Sequence, residues 1–245
     1  MSRILITGST DGLGLAAASS LLVAGHEVIV HARSTQRLSA LDGLVDHGAR
    51  SVVGDLSRVP EVLELAEQVG ALGPVDAVIH NAGTMEGPAM LRVNVVAPYL
   101  LSARLPTVAR QIYLSSSMHR SGRAELTGID WFGHDGARSY SDSKLYVTAL
   151  MAAVARRRPD RIAHAVDPGW VPTRMGGPGA RDDLALGHVT QVWLATDDDP
   201  RIRDSGRYWH HQRIQTPHQA VHDVGFQDAL LDTLAEATGI ALESG

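Results

Sequence analysis

The chain has 245 residues, 44% hydrophobic and 20% charged, an ordinary globular composition with enough length for one large core in a single undivided domain. Its 22 Lys and Arg against 27 Asp and Glu leave a formal charge of -5, so it lacks the positive field that phosphate backbones require, which excludes a nucleic-acid partner. The absence of cysteine removes disulfides, thiolate catalysis and Cys-based zinc sites, and fits a reducing compartment with the cytoplasm as the expectation.

In chain order, the opening MSRILITG carries an apolar segment too short for a signal sequence or a membrane span and reads as a buried first strand, RILIT (3–7). It runs into TGSTDGLG (7–14) and then straight into a helix, LGLAAASSLLVAG (13–25). Glycines 8, 12 and 14 let the backbone turn tightly and approach a pyrophosphate, while the helix directs free N–H groups and its positive end at the anion. The second strand, HEVIVH (26–31), is followed by Ala32 and Arg33, where dinucleotide-binding folds commonly present a carboxylate to the adenosine ribose. Arg33 instead favours a 2'-phosphate, so NADP(H) is preferred and NAD(H) is the alternative; Asp11 adds no positive charge there.

RSVVG (50–54) reads as a third strand, VPEVLELAEQVG (59–70) as a helix and VDAVIH (75–80) as a fourth strand. The helical pattern MLRVNVVAPYLLSARL (90–105) carries one unexpected polar residue, Asn94. QIYLS (111–115) and RIAHAV (161–166) are further strands flanking the helix KLYVTALMAAVARR (144–157). TRMGGPGARDD (173–183) is a loop, DDLALGHVTQVWLA (182–195) a helix, SGRYWHH (205–211) a short strand, and FQDALLDTLAEATG (226–239) a helix ended by Gly239. Strands alternating with helices imply an α/β fold: one Rossmann-type doubly wound parallel sheet of about seven strands with helices on both faces.

RSYSDSK (138–144) sets Tyr140 and Lys144 four residues apart, on one face of a helix. A phenol is a reluctant base near neutral pH. An ammonium about 4 Å away, at an effective dielectric of about 20, favours the phenolate by roughly 4 kcal/mol, or about three pKa units. The spacing therefore predicts a tyrosine of lowered pKa able to move a proton.

These motifs, in this order, resemble the short-chain dehydrogenase/reductase family: TGSTDGLG its TGxxxGxG, HNAG (80–83) its NNAG-like turn, YSDSK its YxxxK, and DPGWVPT (167–173) its PG motif. The finer pattern LSSSMHRSG (114–122), an insert and YSDSKL resembles the retinol dehydrogenase-like and daunorubicin C-13 ketoreductase-like carbonyl reductases. The resemblance implies hydride transfer between a nicotinamide cofactor and a ketone, aldehyde or alcohol. It implies Asn94, Ser116, Tyr140 and Lys144 as the catalytic residues: Ser116 on the substrate carbonyl, Tyr140 as proton donor or acceptor, Lys144 also on the nicotinamide ribose, and Asn94 holding a relay water. Asn94 reads equally well as a satisfied buried amide, and Ser115 and Ser117 as backbone-capping serines. The cofactor-binding set so implied is Gly8, Ser9, Thr10, Asp11, Gly12, Leu13, Gly14, Arg33, Asp55, Leu56, Asn81, Ala82, Gly83, Tyr140, Lys144, Pro168, Gly169, Val171 and Thr173, with Asp55 against the adenine.

A bulky apolar or aromatic carbonyl or alcohol is the expected substrate, with Trp131, Phe132, Trp170 and Met175 as pocket walls and His119 and His134 flanking the site. HQAVH (218–222) places two histidines on one face if helical, but without an accompanying zinc motif no metal is expected. Relatives imply a homodimer or homotetramer. Only 13 positions separate Asn81 from Asn94, fewer than the family usually carries, which either opens the cofactor cleft on one side or removes part of the helix surface through which relatives associate. Two other functions compete: a sugar-nucleotide epimerase or dehydratase, whose glycine spacing differs, and a cofactor-sensing binding module, which often lacks the tyrosine.

Overall fold

The computed structural model describes residues 1–133 and 138–243. Eight strands form one sheet: β1 (Arg3–Ile6), β2 (Glu27–Ala32), β3 (Arg50–Val53), β4 (Ala77–His80), β5 (Arg110–Leu114), β6 (Ile162–Asp167), β7 (Arg207–His210) and β8 (Arg213–Gln215), in the order β3-β2-β1-β4-β5-β6-β7-β8. The first seven are parallel, and each expected run appears within a residue or two of its place. The eighth is an addition. β8 returns antiparallel on β7 through His211 and Gln212, whose φ angles of 46° and 58° make a primed hairpin turn without the Asn or Gly that normally announces one.

Side-chain alternation decides the layers. Ile4 and Ile6 of β1 join Val28 and Val30 of β2 on one face, while Leu5 and Ile29 join the other, and all six are buried. Both faces are apolar because both are covered by helices. The first face packs under α1 (Gly12–Val23); the short α2 (Asp42–Asp46) adds Leu44 to the same cluster. The second packs under α3 (Val59–Ala71), α4 (Ala97–Arg104) and α5 (Tyr140–Arg157). The expected helix 182–195 is divided at His188 into α6 (Leu184–Gly187) and α7 (Val189–Thr196), the latter contributing Leu194 and Ala195 to the α1 side. α8 (Val224–Thr238) ends at Gly239, φ 70°, as expected, and packs along α5.

The chain leaves β1 toward β2 on one side, and β4 lies on the other, so strand order reverses between β1 and β4. A doubly wound sheet opens a crevice beyond the carboxyl ends of its strands at such a reversal, which places Thr7, His80, Leu114 and Asp167 at its rim.

Candidate active site

A cleft of about 470 Å³ opens at this switch point. Fifteen of the expected cofactor-binding residues line it: Gly8, Thr10, Asp11, Gly12, Leu13, Arg33, Asp55, Leu56, Asn81, Ala82, Gly83, Tyr140, Lys144, Pro168 and Thr173.

At the phosphate end, α1 begins at Gly12 after Asp11, whose side chain makes no cap bond, so the first-turn N–H groups stay available to an anion. Gly14 is required by packing, since a Cβ there would stand 2.2 Å from the Gly8 carbonyl oxygen and 2.5 Å from Asn81 Nδ2. Asn81 Nδ2 donates to the carbonyls of Thr7 (2.9 Å) and Gly8 (3.0 Å), and Ala82 N–H donates to Thr7 Oγ1 (3.1 Å), so the NAG turn buttresses the glycine turn. Ser9 does not reach the cleft. It is buried, donating to the Ile6 carbonyl at 2.7 Å and accepting the His31 N–H at 3.1 Å.

Two residues that the sequence pattern did not single out shape this end. Buried His31 accepts the Gly8 N–H on Nδ1 (3.0 Å), so its proton sits on Nε2 and is given to the Gly54 carbonyl (2.7 Å). Burial pushes this imidazole down from its usual range, against the pull of the Gly54 contact and the Asp55 charge. Arg37 donates to Thr10 Oγ1 (3.0 Å) and pairs with Asp11 (3.2 Å), cancelling the negative charge beside the glycine turn. Exposed Arg33 lines the cleft with no ion pair or hydrogen bond among the described residues. Past the end of β3, Asp55 Oδ1 accepts the Ser57 N–H at 2.9 Å and its own N–H goes to Glu61.

At the other end, β5 runs out at Leu114 and Ser116 starts a 3-10 turn, its hydroxyl accepting from Met118 N–H at 3.3 Å. Buried Ser115 lines the cleft with its hydroxyl 2.6 Å from Thr148 Oγ1, Ser117 is exposed, and half-buried Ser116, beside the Tyr140 phenol, is not part of the cleft lining. Tyr140 opens α5 behind a capping box: Ser139 Oγ accepts the Asp142 N–H (3.2 Å) and Asp142 accepts the Ser139 N–H (2.9 Å). One turn on, buried Lys144 donates to the Leu114 carbonyl (2.8 Å) and its Nζ stands 5.5 Å from the Tyr140 ring centre.

The expected direction of the tyrosine shift is reversed. Burial pushes the Tyr140 phenol up to about 12, the Asp167 carboxylate adds to this, and the nearby Ser116 hydroxyl pulls the other way. Burial also pushes the Lys144 ammonium down to about 8, against the pull of Asp167. The four-residue spacing is there, but desolvation is the largest cause of the shift in both groups.

Asn94 lies in a π-helical turn, Arg92–Val96, just ahead of α4. Its amide is fully partnered: Nδ2 donates to the Thr84 carbonyl (2.9 Å) and Ser143 Oγ (3.0 Å), and Oδ1 accepts the Thr84 N–H (2.8 Å). Gly83 fits between Asn94 Oδ1 and Lys144 Nζ, which a Cβ would approach at 3.4 and 3.6 Å.

Several expected neighbours lie elsewhere. Val171 is buried behind the cleft, and Gly169 faces a second hollow where Asp182 closes on it. Trp131 is core, edge-on to Tyr146, and Phe132 packs beside it, so neither is a pocket wall. Exposed Met175 lines the cleft and exposed Trp170 the second hollow. His119 is buried, donating from Nδ1 to the Ser116 carbonyl (2.7 Å) and accepting the His218 N–H on Nε2 (3.1 Å), so it braces the serine turn. His134 falls outside the described residues. His218 caps and His222 ends a single 3-10 turn, and no metal-binding cluster occurs among the described residues. Nor is any helix among them long and apolar enough to cross a membrane.

The short chain dehydrogenase family profile matches residues 2–105. The chain is 36% identical to the short-chain dehydrogenase chyC of Penicillium rubens over 256 residues, covering 99% of each protein, and 36% identical to chry4 of Gibberella zeae over 260 residues and the whole of both. It is 29% identical to DnrU of a Streptomyces species, named as a daunorubicin C-13 ketoreductase, covering 96% of this chain and 92% of that one. Among solved structures, a protein of Mycobacterium paratuberculosis superimposes with a TM-score of 0.82 at 24% identity over 99% of this chain and 95% of that one, a likeness of fold. A short chain dehydrogenase of Salmonella enterica serovar Typhi gives 0.70 at 25% identity, over 86% and 96%. Identity sustained from end to end in both fungal relatives, on a sheet whose switch point carries the glycine turn and the tyrosine–lysine pair, assigns the chain to the short-chain dehydrogenase/reductase family of oxidoreductases.

Proposed function

We propose that the chain is an NADP(H)-dependent reductase that interconverts a ketone or aldehyde and its alcohol, with Asn94, Ser116, Tyr140 and Lys144 as its working residues. One observation carries the reading. The Tyr140 phenol stands beside the Ser116 hydroxyl and Lys144, at one end of a cleft whose other end is the glycine turn with Arg33 and Arg37. The residues fit a dinucleotide: uncapped helix N–H groups beneath glycines, and an unpaired guanidinium at the ribose end.

When bound, the reduced dinucleotide supplies the hydride taken up by the carbonyl carbon. Ser116 donates a hydrogen bond to the carbonyl oxygen and Tyr140 gives that oxygen its phenolic proton, so ketone and proton-bearing phenol become alcohol and phenolate. Lys144 lies close enough to stabilise the phenolate while it lasts. The Asn94 side chain is spent on Thr84 and Ser143, which holds the turn ahead of α4 against the start of α5. Exposed Met175 lines the cleft and suits a bulky apolar or aromatic substrate, in a protein expected in the cytoplasm.

The test is consumption of NADPH and of NADH with aldehydes, aromatic ketones and quinones, in the wild type and in Tyr140→Phe and Arg33→Ala. Turnover should fall by about two to four orders of magnitude in Tyr140→Phe, and Arg33→Ala should erase most of the preference for NADPH. Full activity in Tyr140→Phe would overturn the mechanism; an unchanged preference in Arg33→Ala would overturn the cofactor assignment.

A further inference from the structure

A second hollow, of about 750 Å³, adjoins the cofactor cleft, and Tyr140 lines both. The short stretch between Asn81 and Asn94 runs along the boundary: Thr84, Ala89 and Val93 line the cleft, whereas Met85, Pro88, Met90 and Leu91 line the hollow. The opposite wall belongs to the segment between β5 and α5, which is tied down. Asp142 of α5 accepts the Arg123 N–H (2.7 Å) and pairs with its guanidinium (3.0 Å), and Tyr146 of α5 donates to the Glu125 carbonyl (2.7 Å). Asp130 Oδ1 accepts the N–H groups of Phe132 (2.9 Å) and Gly133 (3.1 Å), in a turn that sets Gly133 against the Pro88 carbonyl. Gly133 has a φ of 75° and a Cβ there would collide with that carbonyl, so glycine lets the two walls meet.

Charge is uneven around this hollow. Of the charged residues that line it, Arg123 is engaged by Asp142, and Asp130 by backbone N–H groups. Glu86 is exposed on the rim, where water and salt screen it. Half-buried Arg138 remains. Its Nη2 donates to the Thr127 carbonyl at 3.1 Å, which steadies the side chain, and it has no carboxylate partner among the described residues. A guanidinium carries five N–H donors in a planar fork, so one such bond leaves most of them for an anion.

Arg138 and Tyr140 face the same way. Ser139 between them is extended, with φ -87° and ψ 165°, and residues on either side of an extended residue project to one side. Their Cα atoms are about 6–7 Å apart along such a stretch, roughly the width of an aromatic ring. We propose that the hollow receives the substrate and that Arg138 is a specificity-determining residue, selecting aromatic or branched apolar carbonyl compounds that carry a carboxylate remote from the reacting carbonyl. The apolar wall of Met85, Pro88, Met90 and Leu91 takes the body of such a molecule. The guanidinium takes its carboxylate in a charge-assisted pair, and the carbonyl is left at Tyr140, which the cofactor reaches from the cleft.

The inference rests on the proposed carbonyl reduction, so binding and turnover are read separately. The probes are 3-acetylbenzoate and 4-acetylbenzoate, each beside its methyl ester, which keeps the ring and the ketone and removes the charge. Calorimetry on the full chain saturated with NADP+ gives Kd without reaction, and the dinucleotide keeps the probes away from Arg33 and Arg37. The wild type should bind the better acid about tenfold to a hundredfold more tightly than its ester. Arg138→Gln should erase that ratio, and Arg138→Lys should restore part of it. In NADPH-dependent reduction, Arg138→Gln should raise KM for the acid far more than it lowers kcat. Equal binding of acid and ester, binding of neither at millimolar concentration, or a preference kept in Arg138→Gln overturns the inference. Acid and ester weakened alike in Arg138→Gln also overturn it, since an arginine that only holds Thr127 in place would act on both. An acid preference that depends on Arg138, in a protein that reduces neither probe, supports the anion site and overturns the proposed function instead.

Discussion

His31 shows how one side chain can tie the cofactor end together. As a neutral imidazole it accepts from Gly8 and donates to Gly54, bridging the glycine turn to the end of β3, and only the neutral ring can do both. His31→Leu keeps the burial and leaves both backbone groups without a partner, at about 1–3 kcal/mol. NADPH binding, followed by quenching of its fluorescence, should weaken by about tenfold; an unchanged Kd would show that the turn holds itself. The ring also contributes to acid sensitivity. Its folded pKa lies below the usual 6.5, and burial pushes His80 and His164 down to about 4. The unfolded chain takes up these protons first as pH falls, so stability is full above about 6.5 and declines below it. At this scale the sequence tells which residues share a face and little about their state. A four-residue spacing shows that Tyr140 and Lys144 share a helix face, but it carries no information about desolvation, which decides where their protons sit. Arg37 escaped because it belongs to no periodic pattern; its closeness to Asp11 exists only after the 3-10 segment Thr35–Leu41 has folded back.

The start of α5 is the element on which Tyr140 depends, and Asp142 secures it. Burial works against the Asp142 charge, but Arg123 and the N–H groups of Ser139 and Arg123 outweigh it and hold the carboxyl at about 2. Because the folded pKa is depressed from 3.8, the stabilisation is present above about 4 and is lost as pH falls toward about 2. Asp142→Ala should cost about 1–2 kcal/mol at neutral pH, lowering the melting temperature by about 3–6 °C, with the gap to wild type closing in acid. A gap that stays constant with pH would mean that packing, not charge, secures the cap. The same element view explains which parts of the fold could be read in advance. Six parallel strands announced themselves as uninterrupted apolar runs, and Gly239 announced the end of α8. β8 did not, because its turn uses His211 and Gln212 at positive φ where Asn or Gly would be the signal. The π turn at Asn94 stayed hidden because a widened turn has the same apolar spacing as the helix around it.

For the whole molecule, the covering of α4 and α5 by the chain's own C-terminal region bears on association. From Asp142 to Val154 every residue of α5 is buried. α8 lies along α5 and contributes the buried Leu230, Leu231 and Leu234 to the same cluster. Arg156 and Arg157 both pair with Asp228 of α8. Beyond α8, the Tyr99 hydroxyl of α4 donates to the Ile240 carbonyl, Leu242 is buried, and Arg158 donates to the carbonyls of Ser102 and Glu243. A homodimer built on these two helices would have to displace α8 and the residues after it, exposing the leucines they bury at about 1.5–3 kcal/mol for each side chain. A stable dimer needs roughly 800 Å² of free surface per partner, and here that apolar surface is already used within one chain. Among the described residues, α4 and α5 therefore offer no free apolar face for the dimer or tetramer expected from relatives, and a monomer is the outcome to test. Sedimentation velocity on the full chain at micromolar concentration should show one species near 26.2 kDa. Leu230→Asp, which places a charge in the seam between α8 and α5, should lower the melting temperature and promote self-association through the uncovered face. A wild-type dimer that persists on dilution, with Leu230→Asp no more prone to associate, would show that another surface pairs the subunits and that α8 covers nothing they need.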